Sequence, residues 1–327
     1  MSGHTVAHRF RVVVLVVAWL AICIVPLANQ QRILDWWKLR GYVAPPAVAS
    51  LVSDDTMTGY AQHLFYLNKP DITTGSDFTS HCPLGTEKTI VLGCYISSDK
   101  GIYLYNVTDP RLQGVVQVTA AHEMLHAAYA RLSSAERNKI DGLLENYYVH
   151  SLTDQRIKDT MDAYKQSEPT QLYNEMHSVF GTEIATLPPE LETYYARYFT
   201  DRSKVTTYAA NYESEFTSRR NQIAQYDAQL ATLKQTIDAN EASLTEQQAN
   251  LTTQLALISS LNQSNSSSYT AAVQSYNRAV DTYNNLRRQT EEDITTYNAL
   301  VDKRNALALE EQQLMQSLSP QSLPAAK

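Results

Sequence analysis

A chain of 327 residues is long enough for two domains. Its net charge of -7 argues against a nucleic-acid partner, which would want a basic stripe. Its 10 glycines argue against a loop-rich all-β chain, and its 3 cysteines do not stand with histidines at zinc-finger spacing.

Residues 1-11 are short and polar, with Arg9 and Arg11, and read as a cytoplasmic segment. Residues 12-28, from Val12 to Ala28, carry no charge and sit at the lower length limit for a membrane-spanning helix. Trp36 and Trp37 follow among Arg32, Lys38 and Arg40, the composition of an interfacial belt. Cleavage after Ala28 would place Pro26 at the -3 position, so the run reads as an uncleaved transmembrane signal anchor. Basic residues flank both ends, which leaves orientation to the cysteines. Cys82 and Cys94 stand close together and suit a disulfide outside the cytoplasm, with free buried thiols as the alternative. The expectation is a single-pass protein of the cell membrane with its folded domain on the extracytoplasmic side.

Residues 29-53 read as a juxtamembrane linker, and residues 54-202 as the main domain. Thr56 to Asn68 is expected to be helical, with Met57, Tyr60, Ala61, Leu64 and Phe65 on one stripe. Residues 71-88 are rich in Gly, Ser, Thr and Asp and read as loop. Two strands are expected over 89-96 and 102-107, joined by a turn at 97-101. Asp109-Pro110 is a helix-start signal, and Ser133 to Glu136 is a capping box that opens a further helix. Helices are then expected from Thr153 to Gln166, from Glu168-Pro169 to Phe180 with a stop at Gly181, and after Leu187. Many helices and one small antiparallel sheet make an α+β domain.

Residues 203-318 have a different pattern. Phe216, Ile223, Leu230, Ile237, Leu244, Leu251 and Ile258 recur every seven residues. The repeat breaks at Asn262 and resumes at Val273, Val280, Ile294 and Val301. Two long helices joined by a polar turn should fold back as an antiparallel coiled-coil hairpin, one continuous dimerising helix being the alternative. This half is the candidate surface for a protein partner or for self-association. Residues 319-327 form a tail.

The chemistry lies between. His122-Glu123-Met124-Leu125-His126 reads H-E-x-x-H within a stretch rich in Ala, Leu and Met and free of Pro and Gly, so it should be helical. Positions i and i+4 share a helix face, so both imidazoles can bind one metal ion, and Glu123 can reach a water held on it. The expected cofactor is one Zn2+ ion. Such a site needs a third protein ligand and an open position for water. Candidates lie in Asn174-Glu-Met-His-Ser-Val-Phe-Gly-Thr-Glu183. Glu175 falls in the apolar stripe of Leu172, Met176, Val179 and Phe180, while His177 falls opposite. A carboxylate on a core-facing stripe needs a partner, and a metal supplies one. Glu175 therefore ranks first, then His177, then Glu183, the last two as alternative ligands or as supports for one. An ordinary buried salt bridge is the rival reading of Glu175.

H-E-x-x-H on one helix with a glutamate on a later one resembles the gluzincin group of zinc metallopeptidases. Glu175-Met-His-Ser-Val-Phe resembles the E-F-F-A-x-x-F third-ligand helix of the MtfA-like and anthrax lethal factor-like peptidases, over about residues 110-200. His177 and Ser178 stand where that pattern has Phe and Ala. The resemblance implies a zincin-like catalytic domain, His122, His126 and Glu175 as ligands, Glu123 as general base, and a peptide or protein substrate. Tyr164 and Tyr173 are candidate transition-state donors, and the strand 102-107 is the candidate edge for an extended substrate. The rival from another class is a membrane-tethered coiled-coil adaptor with an inactive peptidase-like domain.

Overall fold

The computed structural model describes Trp19 and residues 29-82, 91-97, 101-261 and 266-320. Among these residues the chain is mostly helical, with eleven α-helices and one small three-stranded mixed sheet. It divides into two compact units, Met1–Tyr212 with Ser317–Lys327, and Glu213–Gln316.

In the first unit, α1 (Gln30–Leu39) and α2 (Pro46–Asp54) occupy the stretch expected to be a linker. Pro46 does not break α2, because it lies in the first turn, where no intrahelical N–H is needed. Val48, Leu51 and Val52 of α2 are buried in the core. Thr58 caps α3 (Gly59–Leu67), its hydroxyl accepting from the Ala61 N–H at 3.2 Å. Asp71–Thr73 forms β1 and Gly75–His81 forms α4, where the composition suggested loop. The remaining strands are β2 (Gly93–Ile96) and β3 (Gly101–Tyr105).

Strand order is β1-β3-β2, with β1 parallel and β2 antiparallel to β3. The sheet is therefore mixed rather than antiparallel. The strand expected to offer a free edge, β3, is central and paired on both sides. The edge strands among the described residues are β1 and β2, each paired with β3. Cys94 of β2 is disulfide-bonded to Cys82, which follows α4.

A 3-10 turn at Pro110–Leu112, capped by Asp109, leads to Gly114. Gly114 has φ 101° and lies so close to Tyr208 that a Cβ would come within 2.9 Å of its side chain. From there α5 (Val115–Ala130) runs through the middle of the unit, buried on nearly every side. Ala120, Ala121, Ala127 and Ala128 keep its surface narrow, so neighbours approach closely. α8 (Leu172–Glu183) packs along it, as do α2, α3, β2 and β3, while α6 (Ser134–His150) and α7 (Gln155–Ser167) pack on α8, and α9 (Pro189–Tyr195) on α6. Ser133 and Glu136 form the expected capping box. Gly181 does not end α8. A Cβ there would lie 2.6 Å from Leu125 Cδ1 and 2.7 Å from Tyr195 Cε1, so glycine permits the close crossing of α8 over α5.

α10 (Arg202–Ser260) begins inside the first unit, where Val205 and Ala209 join the core. The second unit holds the rest of α10 with α11 (Ser266–Ser317). Arg219 pairs with Glu310 at 3.3 Å, Asp227 with Arg304 at 3.0 Å, and Asn240 meets Asp293 at 3.4 Å. Numbers rise on one helix as they fall on the other, so the two run antiparallel.

The expectation of a membrane anchor does not stand. No helix among the described residues is long and apolar enough to cross a membrane. α1 has 10 residues and carries Arg32, Asp35 and Lys38. At 1.5 Å per residue it reaches about 15 Å, half of a ~30 Å hydrocarbon core. Asp35 of α1 is held by Arg131 at 2.6 Å, at the end of α5. Arg40 lies over Trp36 and Trp37 at 5.4 and 5.6 Å from the ring centroids. The signal anchor of residues 12-28 and the segment 1-11 lie outside the described residues, apart from Trp19. The single-pass localisation thus finds no spanning helix among the described residues.

Candidate metal centre

α5 is apolar on most of its circumference, and a helix of that kind belongs in a core. Besides Gln117 and Thr119, three titratable side chains with metal-ligand chemistry break that surface: His122, Glu123 and His126. Glu123 and His126 are buried and His122 is partly so. Burying such groups costs free energy unless they find partners. Potential ligand atoms of these three residues lie within 4.8 Å of one another. The two imidazole rings meet edge to face at 4.6 Å between centroids.

α8 supplies the fourth group. Glu175 Oε2 lies 3.6 Å from His122 Nε2, and its Oε1 lies 3.5 Å from His126 Nε2. One carboxylate thus faces both ring nitrogens. In a tetrahedral zinc site with bonds of 2.0–2.1 Å, neighbouring ligand atoms are about 3.3 Å apart. The observed separations are close to that edge, so the donor set fits a zinc ion. Burial pushes the Glu175 carboxyl up, but His126, His122 and a hydrogen bond from Tyr164 outweigh it, and the net shift is downward.

The other two candidates lie elsewhere. His177 is fully buried on the far face of α8, its Nε2 2.8 Å from the Tyr194 hydroxyl. It packs against Tyr129, Tyr194 and Tyr195. Burial, with His126 and His122 nearby, pushes its imidazole down to about 3, so it is neutral. Glu183, at the end of α8, pairs with Arg156 of α7 at 2.7 Å.

A groove of about 1130 Å³ opens over the cluster. β2 forms one wall, and Tyr164, Glu168, Tyr173 and Asn174 are among the residues of the other. β2 sits hard against α5. A Cβ on Gly93 would lie 2.6 Å from Thr119 Cγ2 and 2.8 Å from Glu123 Oε1. Both disulfide cysteines line the groove, so the bridge ties its β2 wall to α4.

Comparison with protein-family models, with curated proteins and with solved structures finds no match. What can be said of the site therefore rests on its own geometry. Of the five tyrosines that line the groove, Tyr164 is engaged with Glu175, Tyr173 with Glu145, and Tyr129 with Asp141 at 2.8 Å. Burial first, then the bond to Asp141, pushes the Tyr129 hydroxyl well up. Sequence reasoning missed Asn174 and Ser178, which both face His126 Nδ1, at 3.0 and 3.1 Å. The available signal was spacing: Asn174 and Ser178 are i, i+4 beside Glu175, so they flank the face that carries it.

Proposed function

We propose that this protein is a zinc-dependent peptidase, with His122, His126 and Glu175 as metal ligands and Glu123 as general base. The observation that carries the reading is the Glu175 carboxylate, brought from a separate helix to 3.6 and 3.5 Å from both Nε2 atoms. An H-E-x-x-H run alone is a short pattern, and a third donor at tetrahedral spacing is a much stricter condition. The zincin-like character of the domain, and its likeness to gluzincins, belong to this proposal.

A zinc ion in such a site supplies Lewis acidity and lowers the pKa of water to about 7. The rest falls to side chains. Glu123, on the turn of α5 between the two histidines, takes a proton from the attacking water and passes it to the leaving amine. Glu175 stays ionised and keeps both Nε2 atoms turned toward one centre. β2 lines the groove, and on this reading an extended substrate pairs along it.

The test is a pair of measurements on the wild-type chain and on Glu123→Gln. Both should hold one zinc ion per chain after dialysis, and only the wild type should hydrolyse a peptide library. A wild type that purifies without zinc and gains none on addition would refute the proposal and favour the adaptor reading. Full hydrolysis by Glu123→Gln would refute the role of the base.

A further inference from the structure

The two histidines of the cluster are not held alike. His122 meets Glu175 through Nε2. Among the described residues no hydrogen bond is made by its other ring nitrogen. His126 is gripped at both ends: Nε2 lies 3.5 Å from Glu175 Oε1, while Nδ1 lies 3.0 Å from Asn174 Oδ1 and 3.1 Å from Ser178 Oγ. A neutral imidazole carries one proton, and which nitrogen holds it is set by the partner of the other. An amide oxygen only accepts. A metal held on Nε2 takes up that lone pair, which leaves the proton on Nδ1, where the Asn174 oxygen accepts it.

The Asn174 amide makes a second contact on its other side. Its Nδ2 donates to Gln171 Oε1 at 3.3 Å. Turning the amide over would set its NH2 against the Nδ1–H of His126 and its oxygen against the oxygen of Gln171. The contact with His126 would become repulsive, and the exposed Gln171 amide would have to turn over as well. Gln171, Asn174 and Ser178 stand at i, i+3 and i+7, on one face of α8 and its cap. Glu175 comes from the same helix, so α8 brings both a ligand and the group that aims another.

We infer that Asn174 is a positioning residue, aimed by Gln171, that fixes the tautomer and ring angle of His126 for metal binding. The inference rests on the metal-site reading above and adds to it a residue outside the H-E-x-x-H pattern. A partner of this kind is worth 10–100-fold in metal affinity in known sites. Asn174→Ala should weaken zinc binding by about that factor. Asn174→Asp should restore it, because a carboxylate accepts the same hydrogen bond. Gln171→Ala, a change at an exposed position, should give a smaller loss in the same direction.

The experiment titrates zinc into each full-length chain against a chromophoric chelator, and records the visible spectrum of the cobalt(II) form. Thermal melting of the metal-free chains checks the fold. Weakened zinc binding and an altered cobalt spectrum in Asn174→Ala, with recovery in Asn174→Asp, support the role. Asn174→Ala within about twofold of the wild type overturns it. Equal weakening by Ala and Asp also overturns it, since a merely structural role would not distinguish an acceptor. Should Asn174→Ala fail to fold, Gln171→Ala and Asn174→Asp decide: unchanged zinc affinity in Gln171→Ala, or a large loss in Asn174→Asp, counts against it. A wild type that binds no zinc removes the metal-site reading and this inference together, and is thereby told apart from failure of the inference alone.

Discussion

Gly93→Ala adds a single methyl group between the edge strand and the helix that carries the general base. The new Cβ would lie 2.6 Å from Thr119 Cγ2, 2.8 Å from Glu123 Oε1 and 2.9 Å from Glu123 Cγ. Carbon atoms in contact prefer about 3.5–4.0 Å, so β2 and α5 must part, or Glu123 must move, by about 1 Å. Overpacking of this kind costs about 1–3 kcal/mol in stability. A misplacement of about 1 Å at the reacting groups costs about a hundredfold in rate. The expected result is a chain that keeps its zinc, melts at a lower temperature and loses about two orders of magnitude in kcat. The assay is steady-state hydrolysis of a fluorogenic peptide, with zinc stoichiometry and thermal melting in parallel. Wild-type kcat with an unchanged Tm would show that β2 does not press on Glu123, and the placement of the substrate edge would fall with it.

Three further predictions concern other parts of the first unit. Glu175→Ala should strip the zinc, Glu183→Ala should leave it in place, and His177→Ala should keep zinc while lowering Tm, since His177 is fully buried among tyrosines; metal content and melting of the three variants decide this, and zinc loss confined to His177→Ala would invert the assignment. Asp55 is fully buried with no hydrogen-bond partner at either carboxylate oxygen, and burial, then the charge of Asp54, raises its pKa well above the ordinary range. The native state thus holds a proton that the unfolded chain releases near pH 4, so the contribution of Asp55 is full below that pH and is lost as pH rises through its raised folded value. Asp55→Asn should therefore gain most in Tm over wild type at alkaline pH and least near pH 4, and parallel Tm profiles would refute this. Loss of the Cys82–Cys94 bond, which closes an interval of 12 residues, should cost about 3 kcal/mol in denaturant unfolding with and without reductant, and no difference would mean that the bridge constrains little.

The parts of the fold that were legible in sequence are those with a long period or a strict local rule. The H-E-x-x-H helix declares itself through the i, i+4 spacing of His122 and His126. The capping box at Ser133 and Glu136 declares α6, and the seven-residue repeat declares the two long helices. Helical phase puts Glu175 and His177 about 200° apart, and they do lie on different faces of α8, but both faces are buried, which the apolar stripe did not show. What stayed hidden depends on tertiary contact. β1 is three residues long, too short to show a period, and its pairing with β3 turns an apparent hairpin into a mixed sheet with β3 at its centre. Pro45-Pro46 reads as a linker until Val48 and Leu51 are seen in the core, where Pro46 is simply the first turn of a helix. Gly181 reads as a stop because glycine often ends helices, and only the nearness of Leu125 and Tyr195 shows why it is needed inside one. The apolar run of residues 12-28 gave a hydropathy signal for a span but lies, Trp19 apart, outside the described residues, among which no helix is long and apolar enough to cross a membrane.

The shortness of β2 bears on how a substrate would be chosen. The strand has four residues, and in an antiparallel ladder alternate residues turn their N–H and C=O groups toward β3. About two residues remain to face outward, which allows on the order of four backbone hydrogen bonds to a bound chain. At about 1 kcal/mol net each, these give roughly 4 kcal/mol, an affinity near 1 mM. Backbone pairing of that strength registers an extended chain without discriminating among sequences. A peptide that bound at micromolar concentration would have to draw the remaining ~4 kcal/mol from its side chains, in the part of the groove walled by α7 and α8.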